Sequence, residues 1–154
     1  MPYKAAQNEF SCALACIVSA LNDFGDTKTQ EEISKQYFRF FPEWKQQEGV
    51  LSKTGILRLL EEIKIKLTSF YLTNDLKDFL DLFSKNDKAG KKVSLCLILL
   101  HGNSHHCLRI LQKGMDGNGA FVFDPDRLGP KEEFRTWESM KNRSPEYLLI
   151  YSSC

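Results

Sequence analysis

A chain of 154 residues is long enough for one domain with a sizeable core, and 42% hydrophobic against 27% charged residues is ordinary for a globular protein. Its 21 basic and 20 acidic side chains leave a formal charge of +1, which excludes an electrostatic grip on nucleic acid or an anionic membrane. The most apolar stretch, Val93 to Leu100, falls far short of the ~20 residues a spanning helix needs, so no membrane insertion is expected.

Residues 1–11 read as an irregular start. No charged-then-apolar signal pattern opens the chain, so a cytoplasmic location with five reduced cysteines is expected. Delivery by a specialised secretion system stays open. From Cys12 to Phe24, Leu14, Ile17, Val18, Leu21 and Phe24 recur at helical spacing among small alanines, with Gly25 as a C-terminal stop. That helix is apolar over most of its circumference and is therefore expected at the centre of the fold. Thr29 opens a second helix with Glu32 in capping-box position.

Phe38, Phe40, Phe41, Pro42 and Trp44 then form an aromatic knot, read as packing under a long loop or as a cleft rim. A third helix is expected from Ser52 or Lys53 to Lys64, a short strand over Lys66–Leu72, and a fourth helix over Asp75–Ser84. The second half changes character. Strands are expected at Val93–Leu100, His105–Gln112 and Gly119–Asp124, then a short helical or irregular piece over Lys131–Lys141 and a closing strand over Glu146–Ser152. Helices followed by an antiparallel sheet make an α+β pattern, in a single domain spanning 1–154.

The chemistry starts at Cys12, where a polar loop becomes an apolar helix. Unpaired N–H groups and the positive dipole end at a helix start stabilise a thiolate. Cysteine catalysis also needs an imidazole and a group that orients it. Strand alternation puts His106, Leu108 and Ile110 on one face and His105, Cys107, Arg109 and Leu111 on the other. Arg109 is costly against an apolar helix, so His106 is expected to face Cys12 and His101 to lie in a loop. With a hairpin connection of about five residues, 113–117, Asp124 would stand directly across from His106; a different turn would move it. Asp126 and Arg127 read as turn residues. Cys16, Cys96 and Cys107 read as core, and Cys154 has no assigned role. A zinc site from Cys12, Cys16, His105 and His106 lacks the usual two-residue knuckle, so no metal or other cofactor is expected.

Gln7 followed by Ser-Cys-Ala-Leu-Ala-Cys at a helix start, then Ser-His-His-Cys-Leu-Arg-Ile, then Phe-Asp-Pro-Asp, resembles the papain-like bacteriocin-processing peptidases, which cut leader peptides after a double glycine. The resemblance runs over most of the chain. It implies a papain-like fold, Cys12 as nucleophile, His106 as base and acid, Asp124 as the orienting group, and Gln7 with the Cys12 N–H as the oxyanion hole. The family's usual Asp-Cys-Gly is Ser11-Cys12-Ala13 here, and its glutamine usually stands six residues before the cysteine rather than five; Asn8 or a water is the alternative donor. The expectation is thus a free-standing bacterial cysteine hydrolase, without a transporter, acting on a peptide or protein through a thioester. An acyl-transferring or deamidating toxin or effector of the same fold, with an inhibitor or immunity protein as partner, is the alternative, as is a non-catalytic peptide-binding relative.

Overall fold

The computed structural model describes residues 12–23, 29–37, 67–88, 93–101, 106–126 and 129–152. In chain order these form α1 (Cys12–Asp23), α2 (Gln30–Tyr37), β1 (Leu67–Thr73), α3 (Leu76–Lys88), β2 (Val93–Leu100), β3 (His106–Met115), β4 (Gly119–Asp124), β5 (Lys131–Thr136), α4 (Trp137–Met140), a 3-10 turn (Lys141–Arg143) and β6 (Glu146–Ser152). The aromatic knot, the expected third helix, and Gly25, Arg127 and Cys154 lie outside the described residues.

The strands make one sheet ordered β1-β6-β2-β3-β4-β5, every neighbouring pair antiparallel. Helices lie on both of its faces. On one, α1 packs with Leu95, Leu97, Leu99, Cys107, Leu111 and Phe123; on the other, Phe79 of α3 and Trp137 and Met140 of α4 pack with Cys96, Ile98, Leu108, Val122 and Tyr147. This explains why β2 is apolar without a break from Leu95 to Leu100. Successive side chains point to opposite faces, and both faces are dry. The same holds for α1, in which every residue from Cys12 to Leu21 is buried.

Local chemistry sets the helix starts. Thr29 Oγ1 accepts from the Glu32 N–H at 3.2 Å, half of the expected capping box. Asp75 is the N-cap of α3 rather than a member of its first turn, its Oδ1 accepting from the Lys77 N–H at 2.9 Å. Downstream, Leu76, Leu80 and Phe83 turn toward the second core, as their spacing predicts.

Two stretches differ from expectation. Residues 131–136 are a strand, not a helical or irregular piece. Lys131, Glu132, Glu133 and Arg135 favour a helix in isolation, but pairing along β4 from Gly119↔Thr136 to Asp124↔Lys131 overrides that preference. Close approach is built in: a Cβ on Gly119 would collide with the Arg135 carbonyl. The hairpin between β3 and β4 also differs. Its tip is Asp116-Gly117-Asn118, tied by Asp116 Oδ1 accepting from the Asn118 and Gly119 N–H groups at 2.7 and 3.1 Å, and β3 carries a register shift between Ile110 and Met115.

Candidate active site

Cys12 is the first residue of α1, where the helix presents its unpaired N–H groups. Its thiol lies close enough to the ring of His106, the first residue of β3, to favour the protonated imidazole. His106 Nε2 lies 2.6 Å from Asp124 Oδ1, at the last residue of β4. With Nε2 occupied by the carboxylate, Nδ1 is the ring nitrogen left for sulfur. Cys12, His106 and Asp124 therefore form a continuous line from helix start to strand end.

The route to this line is not the one alternation suggests. Arg109 does face α1: its Nη1 donates to Ser19 Oγ at 3.2 Å and its Nη2 to Asp23 Oδ2 at 2.6 Å. The desolvation cost of a buried guanidinium is met by a carboxylate and a hydroxyl that the helix itself supplies. Alternation in fact groups His106 with Leu108 and Ile110, on the side away from α1, and the approach to Cys12 is made where both elements begin, at the first residue of β3 and the first residue of α1. The register is corrected too. Arg109↔Phe123 and Ile110↔Val122 place Asp124 opposite residue 108, so His106 and Asp124 are diagonal neighbours, a spacing that long side chains bridge.

Burial of the His106 ring works against its protonation, but hydrogen bonds and charge from Asp124 and Cys12 outweigh it and push its pKa up to about 9. Burial likewise opposes ionisation of Asp124, and the His106 hydrogen bond, the charges of His106 and Arg135 and the Asp126 N–H together hold it below the usual carboxylate range. Both carboxylate oxygens are engaged: Oδ1 also accepts from the Asp126 N–H at 3.2 Å, and Oδ2 accepts from Arg135 Nη2 at 2.6 Å. Arg135 is a residue that sequence reasoning missed. The signal was the alternation of Lys131, Glu133 and Arg135, visible only once 131–136 is read as a strand.

Among the described residues, the other thiols are engaged or buried elsewhere. Cys16 points to the Cys107 carbonyl at 3.5 Å. A hydrogen bond with Cys16 and burial raise the Cys107 thiol well above its usual range, and burial does the same to Cys96. His101 follows β2 directly; its N–H donates to the Arg143 carbonyl at 2.6 Å, and its Nε2 is 2.7 Å from Glu146 Oε1. Asp126 belongs to a turn, its carbonyl accepting from the Gly129 N–H at 3.2 Å. Gln7, Asn8 and His105 lie outside the described residues.

No family model and no curated protein matches the chain. Among solved structures, it superposes on the peptidase domain of Streptococcus ComA, a bifunctional ABC transporter involved in quorum sensing, with a TM-score of 0.68 over 98% of each chain at 13% identity. A double-glycine motif protease from an AMS/PCAT transporter, solved in complex with the leader peptide, matches with a TM-score of 0.61 and 13% identity over 99% of this chain and 91% of the other. The fold is that of a papain-like peptidase domain, as the sequence resemblance implies.

Proposed function

We propose that this chain, built on the fold of double-glycine peptidase domains, is a cysteine hydrolase that cleaves a peptide or isopeptide bond through a thioester. The line of Cys12, His106 and Asp124 at the start of a buried helix is the observation that supports this reading. For reaction, the Cys12 thiol passes its proton to the His106 ring, which forms a thiolate paired with an imidazolium. Sulfur attacks the carbonyl carbon, and the developing oxyanion is met by the Cys12 N–H and, on the family resemblance, Gln7. His106 then protonates the leaving amine as the bond to nitrogen breaks. In the second half His106 takes a proton from water as it attacks the thioester carbonyl; the carbon–sulfur bond then breaks, the acid product leaves, and the ring returns its proton to sulfur.

A peptide is the proposed substrate, in keeping with the leader peptide bound to the PCAT neighbour. No cofactor enters the scheme. Among the described residues no helix is long and apolar enough to cross a membrane. Were an amine or a glutamine side chain to replace water or peptide, the same thioester would serve transfer or deamidation.

Iodoacetamide labelling resolved by peptide mapping tests the nucleophile. Cys12 should react fastest, and His106→Ala should slow it by about 10²–10⁴-fold. Labelling of Cys12 that His106→Ala leaves unchanged would refute the assignment. A peptide-library digest compared with the Cys12→Ala chain should show cleavage only with the cysteine present.

A further inference from the structure

We infer that Arg135 is a positioning residue of this site, which holds Asp124 ionised and aimed at His106. The inference rests on the hydrolase reading above. Asp124 is almost fully buried, and a buried carboxylate with one free oxygen can rotate or take up a proton. Here neither oxygen is free. Arg135 Nη2 meets Oδ2 at 2.6 Å, which leaves Oδ1 directed at the ring. The guanidinium is itself fixed, its Nε donating to Glu133 Oε1 at 2.7 Å from the same face of β5. A planar fork with two carboxylates along two of its edges has one orientation, a property a flexible ammonium lacks.

The order of groups is therefore Glu133, Arg135, Asp124, His106, Cys12, alternating in charge when the thiolate–imidazolium pair forms. Only Cys12 comes from the helix; the other four are on three adjacent strands. Lys131, exposed and opposite Asp124 in register, is the other cation of β5 near the carboxylate, and the Asp126 N–H is its remaining donor. Removing the Arg135 charge would let Asp124 take up a proton at higher pH, and a neutral Asp124 no longer supports the imidazolium.

The test is the pH–rate profile of Cys12 alkylation by iodoacetamide in the full chain, with Arg135→Met, Arg135→Gln, Arg135→Lys and His106→Ala. Arg135→Met and Arg135→Gln should move the acid limb of the profile up by about one pH unit, the effect of losing an opposite charge at this range. Arg135→Lys should recover most of that shift. Arg135→Gln retains a polar side chain of similar reach, so the measurement stands even where the methionine variant folds poorly. A uniform drop in rate with the acid limb unmoved would mean a structural role only and would overturn the inference. His106→Ala separates the two levels. If it leaves the profile of Cys12 unchanged, the hydrolase reading falls and the role of Arg135 falls with it. If it abolishes the fast reaction while both neutral Arg135 variants keep the wild-type acid limb, the hydrolase reading stands and the positioning role alone is lost.

Discussion

His106 stands between a carboxylate and a thiol, and that placement has a thermodynamic consequence outside catalysis. In the unfolded chain its ring titrates near 6.5; in the folded chain it titrates near 9. A group whose pKa rises on folding contributes stability fully below the unfolded value, and that contribution is lost as pH rises through the folded one. Urea midpoints should therefore fall between about pH 6.5 and 9, and His106→Ala should flatten the profile in that window. Asp124 has the opposite sign, and its contribution disappears as pH falls through its lowered pKa. The residue types and their order were legible without coordinates. Which ring nitrogen Asp124 takes, and that Arg135 closes its second oxygen, required the strands to be laid side by side.

At the scale of elements, the seam between α1 and β3 decides where Cys12 sits. Cys16 and Ile17 fill it with apolar volume, and Arg109 pins its far end to Ser19 and Asp23. Asp23→Ala should cost about 1–3 kcal/mol, because the buried guanidinium loses its carboxylate. The double variant Asp23→Ala with Arg109→Met should be less destabilised than Asp23→Ala alone, since an apolar side chain needs no counter-charge there. Denaturant unfolding of the three chains checks both statements. A cost read off composition kept Arg109 away from the helix; the pairing partner lay 86 residues earlier in the chain. The β5 segment is the matching case, since helix preference is a few tenths of a kcal/mol per residue and a neighbouring strand outweighs it.

For the whole molecule, the sheet separates two cores, and Cys12 belongs to the one under α1. Phe79 is fully buried in the other, stacked on Tyr147 at 4.8 Å and edge-on to Trp137 at 6.3 Å. Phe79→Ala should cost about 3–5 kcal/mol, with the alkylation rate of Cys12 unchanged while the chain stays folded. A parallel loss of reactivity would show that the two cores act as one unit.

What the sequence determined by itself was everything written in local period and local chemistry. An apolar circumference marked the buried helix, β2 showed itself by its apolar stretch from Leu95 to Leu100, and Thr29 marked a helix start. Cysteine, histidine and aspartate stood in a recognisable order, so an α+β fold with papain-like resemblance could be read directly. Tertiary structure alone decided the rest. The diagonal register of His106 and Asp124 depends on a shift inside β3, the tolerance of Arg109 on a distant carboxylate, and the conversion of 131–136 to a strand on pairing with β4. Each is a contact between residues far apart in the chain, where the energy of a partner outweighs the preference of the segment.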